Sequence, residues 1–388
     1  MKLKRYTWHR VIFNVLAYTL GLIVSRFMGF KYDRPKKLNK PALILSNHNA
    51  NIDPALVGLG IGRHAYFLAS ENVLRGGLGS KILNFIFAPI PFNKTMADVS
   101  AIKEILRRLR AGANVCLFAE GDRSFNGLTG PISPATAKLA KRSGADLVTY
   151  RLEGLYFVTP RWAKNKRKGR VKGAIANIYK AEELKSMSVE EIHAAIEHDL
   201  FEDAYKRQKE NPVYYTGKDL AENIERVLYL CPQCHAFGTI KSTGNEFKCT
   251  CGLSGVYTET CYLEDEHGKP LQFSTITDWD KWQNEQLAEI IGKAGSEAIC
   301  VDENQELYEV NPAVGNTLIG KGTMSIDKNT FNCAGSSYPL EHVDKVAVFG
   351  RQTLLFSLMD GTTYEVHSSE VRSALKYKDI FHALTKRT

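Results

Sequence analysis

At 388 residues the chain exceeds what one hydrophobic core usually holds, so two or three domains are expected. Lysine and arginine number 51 against 42 aspartate and glutamate, a formal charge of +9 that points to an anionic partner such as phosphate groups or an acidic surface. Four of the eight cysteines cluster at metal-ligand spacing and four are scattered, which excludes a disulfide framework and suits a reducing compartment.

Residues 1–34 hold an apolar run, Val11 to Val24, interrupted only by Asn14, Tyr18 and Thr19. Arg26 breaks the run before Phe27. The run falls short of the roughly 20 residues a bilayer span needs, and no small-residue cleavage site follows it. Lys2, Lys4, Arg5 and Arg10 precede it; Lys31, Arg34, Lys36 and Lys37 follow. Cationic flanks at both ends predict a monotopic or peripheral helix at the cytoplasmic face of the cell membrane. A plain core helix is the alternative.

Ala42 to Leu45 reads as a buried strand, and Ser46 to Asn51 as a polar loop at its end. Asp53 followed by Pro54 is a helix-start signal. His48 therefore sits at the carboxyl end of a strand, where open α/β sheets place their sites. Four residues separate His48 from Asp53, a loop that can fold the carboxylate back onto an imidazole nitrogen. The bland alternative makes Asp53 a helix cap and His48 a solvated loop residue. Further apolar runs follow at Ala65 to Ala69 and within residues 82–94. Residues 98–111 predict an amphipathic helix, with Asp98 capping it, Ile102, Ile105, Leu106 and Leu109 on one face and Gly112 ending it.

Val115 to Ala119 is another apolar strand, running into Glu120, Gly121, Asp122, Arg123 and Ser124. Charges at a strand end, with a glycine for the turn, suit a corner that binds phosphate or orients a hydroxyl. Cys116, inside the strand with no histidine beside it, reads as core. Together, Asn47-His48-(four residues)-Asp53 and Glu120-Gly121-Asp122-Arg123-Ser124 resemble the 1-acylglycerol-3-phosphate acyltransferase family, over roughly residues 35–175. The resemblance implies that Glu120, Gly121 and Arg123 bind the acceptor's glycerol phosphate. Lys94 stands where the family has a phosphate-holding arginine, keeping the charge without the bidentate fork. Thr149 stands where the family's fourth block carries proline.

Helices are expected around Pro134 to Ser143 and after the Ser188-to-Glu191 capping box, the latter with Ile192, Ile196 and Leu200 on one face. Strands are expected at 145–152 and 171–179. The alternation predicts an α/β domain with a largely parallel sheet over residues 35–224. Between them, residues 161–172 hold seven basic residues and Trp162. That run reads either as a solvated face or as a contact for phospholipid headgroups or an acidic acyl donor.

Cys231 and Cys234, then fourteen residues, then Cys249 and Cys251, have the number and spacing of a zinc ribbon over residues 225–262, with Gly238, Gly244, Gly252 and Gly255 marking turns. The metal would be structural Zn²⁺, with free thiols the alternative. A connecting helix is expected at Asp278 to Ile291. Short strands follow at Ile299 to Asp302, Glu306 to Val310, Thr317 to Gly320, Thr323 to Ile326, Lys345 to Phe349, Thr353 to Leu358 and Thr362 to Val366. A helix around Val371 to Leu384 closes the mostly-β segment 263–388, which resembles a pleckstrin-homology-like domain in architecture alone.

The expected function is O-acyl transfer from acyl-coenzyme A or acyl carrier protein to a lysophospholipid at an anionic membrane surface. His48 would be the base and Asp53 its partner. No Gly-x-Ser-x-Gly elbow is present for an acyl-enzyme route, and no catalytic cofactor is implied. Two rivals are an inactive membrane adaptor and a zinc-ribbon nucleic-acid binder. The second leaves both strand-end motifs as coincidence, and no nucleic-acid partner is expected.

Overall fold

The computed structural model describes residues 3–33, 40–70, 84–92, 99–311 and 315–386. The chain divides into two compact units, Met1–Pro160 with Lys166–Thr216, and Arg161–Asn165 with Gly217–Thr388. The boundary at Gly217 falls a little before the expected 225, and the cysteine cluster and the β-rich segment share the second unit.

In the first unit, α1 (Leu3–Met28) leads to β1 (Phe30–Tyr32), β2 (Ala42–Ser46) and α2 (Asp53–Ile61). Then come β3 (Ala65–Ser70), β4 (Ile90–Phe92), α3 (Val99–Arg110), β5 (Asn114–Phe118) and α4 (Pro134–Ser143). The unit finishes with β6 (Asp146–Glu153), a one-turn α5 (Leu155–Val158), β7 (Val171–Tyr179), α6 (Ala181–Ser186), α7 (Val189–Leu200) and α8 (Ala204–Glu210). The strands form one sheet in the order β1-β7-β6-β2-β5-β3-β4. Every pairing is parallel except that of β6 with β7. β2 lies at the centre and is buried along its whole length, as expected for a strand covered on both faces. Ser46 at its end pairs with Phe118 on one side and Tyr150 on the other. The loops after β2 and β5 therefore leave the same edge of the sheet side by side.

Local signals set the flanking helices. Ser188 and Glu191 close the capping box of α7, and Ile192, Ile196 and Leu200 beneath it are fully buried. Ser133 caps α4 through the Ala135 amide. In α3 the buried face is Ala101, Ile105, Arg108 and Leu109, so Ile102 turns outward, against the expected face. Asp98 and Lys94 lie outside the described residues.

One side of α1 packs on the domain. His9 Nδ1 meets the Tyr66 hydroxyl on β3 at 2.8 Å. Gly21 abuts Leu59, where a Cβ would come within 2.5 Å of a methyl carbon. The opposite side exposes Trp8, Val11, Val15 and Tyr18 at alternating steps of three and four; nearer the end of the helix Ile23 and Phe27 are exposed as well. No described helix is long and apolar enough to cross a membrane.

The second unit opens with β8 (Ile240–Thr243), β9 (Glu246–Cys249), β10 (Ser254–Tyr257) and β11 (Leu263–Glu264), an antiparallel sheet in sequence order. Gly238, Gly244 and Gly252 take positive φ at turns. Gly255 instead lies inside β10, where a Cβ would strike the Phe247 ring at 2.6 Å. Helix α9 (Ile276–Lys293) starts at a Thr275 cap and buries Trp279, whose indole N–H donates to the Leu230 carbonyl at 2.9 Å. A seven-stranded antiparallel sheet follows, and α10 (Leu375–Thr385) ends it. Its strands are β12 (Cys300–Asn311), β13 (Gly315–Ile326), β14 (Thr330–Cys333), β15 (Ser336–Pro339), β16 (Val343–Phe349), β17 (Thr353–Leu358) and β18 (Thr363–Ser368). The four expected segments between 299 and 326 are two long strands, broken in register between Asp302 and Gln305 and between Leu307 and Tyr308.

The basic run 161–172 is not one exposed face. Arg161, Trp162 and Arg167 are buried. Arg161 donates to the carbonyls of Val348 at 2.6 Å and Gly350 at 2.9 Å, so its charge is spent inside the second unit. Lys164, Lys166, Lys168, Arg170 and Lys172 remain exposed.

Candidate active site

The parallel pairing of β2 and β5 brings the two strand-end motifs together. His48 Nδ1 lies 2.6 Å from Asp53 Oδ2. The same carboxylate accepts the Asn49 amide at 2.7 Å and the Ala50 amide at 3.0 and 3.1 Å. Asp53 is fully buried and surrounded by donors. The carboxylate, already taking the loop amides, accepts from Nδ1 as well, which makes Nε2 the ring nitrogen that can take a proton when the imidazole is neutral. The helix-cap expectation for Asp53 is corrected: the cap position is Ile52, which makes no side-chain bond, and Asp53 turns back onto the loop.

Glu120 is placed differently from a substrate-facing group. Oε1 accepts the His48 amide at 2.6 Å and Oε2 accepts the Gly130 amide at 2.6 Å. The Ser124 amide donates to the His48 carbonyl at 3.1 Å. The loop after β5 thus holds His48 by both of its backbone polar groups. Gly121 makes that loop's turn at φ +68°, a conformation costly for any residue with a Cβ. Arg123 lies half-buried on the same loop, its amide bonded to Asp122 Oδ1 at 2.9 Å. On the other side, Asn47 makes a two-bond clamp with the Leu152 backbone, 2.8 Å each way. Phe118, the last residue of β5, lies against the imidazole of His48. Asn47, Ser124, Gly130 and Phe118 were not singled out by sequence, although Asn47 and Ser124 stand inside the quoted motifs. Cys116 is core, its thiol pushed well up by burial and then by the nearby Asp53 charge.

Burial pushes the Glu120 carboxyl up to about 8, with the Gly130 and His48 amides pulling it down. A carboxyl raised in the folded state contributes its full stability below its ordinary 4.5 and loses it as pH rises through about 8. Glu120→Gln should therefore flatten the decline of stability across that window. Denaturant midpoints taken between those two pH values check this, and parallel slopes for parent and variant would refute it.

In the second unit, Cys231, Cys234, Cys249 and Cys251 place their sulfurs within 4.8 Å of one another. The Cys231–Cys251 and Cys234–Cys249 sulfur separations are both 3.7 Å. A tetrahedron with metal–sulfur bonds of about 2.3 Å has edges of about 3.8 Å, so the four sulfurs fit zinc. Burial pushes the Cys231 thiol up to about 12 against the Cys234 and Gln233 amides, which pull it down, and the Cys251 thiol is also raised although the Leu253 amide pulls it down.

Residues 29–153 match the family model described as Acyltransferase, and this part of the chain carries an acyltransferase-type α/β domain. Among solved structures, the chain is similar to the crystal structure of the 1-acyl-sn-glycerophosphate (LPA) acyltransferase PlsC from Thermotoga maritima. The identity is 18%, with 52% of this chain and 95% of that chain covered and a TM-score of 0.38. Two other likenesses each have 16% identity, cover 24% of this chain and 87% of the other, and score 0.19. They are the 8S snRNP assembly intermediate and the solution structure of the N-terminal PH domain of human ARAP2. At those scores none of the three decides activity. No curated protein matches the chain.

Proposed function

We propose that this chain is a membrane-associated O-acyltransferase that moves a fatty acyl group from an acyl thioester to the free hydroxyl of a lysophospholipid, with 1-acylglycerol 3-phosphate as the acceptor. The observation that carries this reading is the 2.6 Å contact between His48 Nδ1 and a buried Asp53 at the carboxyl end of a parallel sheet. His48 Nε2 takes the proton as the acceptor oxygen attacks the thioester carbonyl. The tetrahedral intermediate collapses, the carbon–sulfur bond breaks, and the leaving thiolate takes that proton from the imidazolium. Asp53 keeps the tautomer and balances the ring's transient charge. Arg123 and Lys94 bind the acceptor's phosphate, with Gly121 shaping the turn. Glu120 serves that pocket indirectly, by fixing the His48 loop. The donor is acyl-coenzyme A or acyl carrier protein, and the zinc is structural.

The exposed face of α1 supports attachment to the cytoplasmic face of the membrane. Trp8, Val11, Val15 and Tyr18 form an apolar stripe, and Phe85, also exposed, lies 6.1 Å from the Trp8 ring. Such a helix lies in the headgroup region with cationic flanks on anionic lipid. The test is to incubate purified full-length protein with anionic vesicles, a panel of lysophospholipids, and each thioester donor. Thioester loss that depends on 1-acylglycerol 3-phosphate, by protein that sediments with the vesicles, is the expected result. Sedimentation without thioester loss for any acceptor would make the protein an adaptor and sink the enzymatic reading.

A further inference from the structure

The hydrogen bond to Asp53 holds one edge of the His48 ring and leaves it able to swing about that contact. A second restraint acts on the ring's face. The Phe118 ring lies 4.2 Å from the imidazole, centroid to centroid, with the planes 17° apart. Phe67 on β3 lies behind Phe118 at 6.2 Å and 18°. Three nearly parallel rings thus run from β3 through β5 to the histidine.

Strand geometry explains how Phe118 comes to be there. Side chains alternate along β5, so Val115 and Leu117 point to one face and Cys116 and Phe118 to the other. Val115, Cys116 and Leu117 are all buried, whereas Phe118, the last residue before the loop, is only partly so. Its partner in the ladder is Ser46, two residues before His48. A phenylalanine kept only for the core would be sealed inside. This one sits at the sheet edge, and its flat face is laid against the imidazole.

We propose that Phe118 is a positioning residue for His48: it fixes the plane of the imidazole so that Nε2 stays aimed at the acceptor while Asp53 holds Nδ1. The inference rests on the reading of His48 as the base. Two restraints of different kinds, one on an edge and one on a face, leave the ring a single orientation. As His48 takes the acceptor's proton, the charge develops beside an aromatic face, which attracts cations. Phe67 supports Phe118 from behind, so the stack is anchored on two strands and not on the loop.

The experiment compares Phe118→Ala, Phe118→Tyr and His48→Ala in the full chain, assayed with 1-acylglycerol 3-phosphate and an acyl thioester. Misaiming a base by about an ångström costs up to roughly a hundredfold. Phe118→Ala should therefore lower kcat by about ten- to a hundredfold with KM within about twofold, while Phe118→Tyr, which keeps the face, stays close to the parent. If Phe118→Ala melts early, Phe118→Leu keeps the bulk without the flat face and is read in the same way. A second arm needs no turnover. The His48 ring protons should move in the NMR spectrum when the ring current of Phe118 is removed. An unchanged kcat, a change confined to KM, or unmoved ring protons overturns the proposal. Activity retained in His48→Ala would overturn the base reading instead, while the NMR arm still decides whether Phe118 lies against the His48 ring.

Discussion

A His48→Ala protein is expected to lose acyl transfer by about 10²–10⁴-fold, the contribution of a positioned general base, while remaining folded. An alcohol holds its proton too tightly at neutral pH to attack a thioester well, so removing the base removes the step. Folding should be spared because the loop does not hang on the imidazole. The His48 amide and carbonyl are held by Glu120 and Ser124, and both bonds survive truncation at Cβ. Asp53→Asn should behave differently. Asp53 Oδ2 accepts from His48 Nδ1 and from the Asn49 and Ala50 amides. An asparagine in that place must either turn an NH₂ group toward these donors or give up one of them. The expected result is a loss of turnover comparable to His48→Ala together with about 1–3 kcal/mol of stability for the unsatisfied donors. Rates against acceptor concentration, with thermal and denaturant melts alongside, separate the two variants. Full turnover in a folded His48→Ala protein would end the proposed mechanism. Unchanged stability in Asp53→Asn would mean that the loop amides do not depend on the carboxylate.

The contrast between these two residues shows what the sequence could convey. The strands were legible because β2 and β5 are short apolar runs that end in polar or charged loops, and such runs bury on both faces. The pairing of His48 with Asp53 was legible because its two members lie five positions apart, within reach of one loop. Glu120 was not. Its partners are the amides of His48 and Gly130, 72 and 10 positions away, and nothing in the local residues says that both oxygens are already taken. Phe118 was hidden for a related reason: a phenylalanine in an apolar run looks like core until the parallel register sets it beside the His48 loop. At residues 161–172 composition could not tell the two buried arginines, Arg161 and Arg167, from the five basic residues that stay exposed. Arg161 in fact satisfies carbonyls of Val348 and Gly350, 187 and 189 positions on. β14 and β15 escaped notice because Thr-Phe-Asn-Cys and Ser-Ser-Tyr-Pro are too short and polar to show alternation.

Removing metal from the second unit is expected to have the other large effect. Cysteine spacing and sulfur geometry agree here: two 3.7 Å separations match the edges of a tetrahedral zinc–thiolate site. The protein should contain one zinc per chain when purified without chelator. Structural zinc binds zinc-finger peptides with an apparent 10–16 kcal/mol or so at neutral pH, and that free energy is largely folding free energy. The segment it holds has little else. Within the sheet β8 to β11 the main buried side chains are Ile240, Phe247, Tyr257 and Leu263, too few to hold that sheet alone. Phe247 packs edge-on to Trp279 of α9 at 5.9 Å, so loosening the cysteine loops should reach that helix too. Stripping the metal with a strong chelator, or substituting Cys231→Ser and Cys249→Ser together, should speed hydrogen exchange in β8 to β10 and then in α9. Exchange in β2, β5 and β6, which carry the candidate active site, should be unchanged, and acyl transfer should persist in the stripped protein if the zinc serves structure alone. Loss of transfer in step with zinc, while β2, β5 and β6 keep their protection, would refute that purely structural role. Protein that holds no zinc, or whose exchange is indifferent to the chelator, would show that the four cysteines are thiols gathered by the hairpin and not metal ligands.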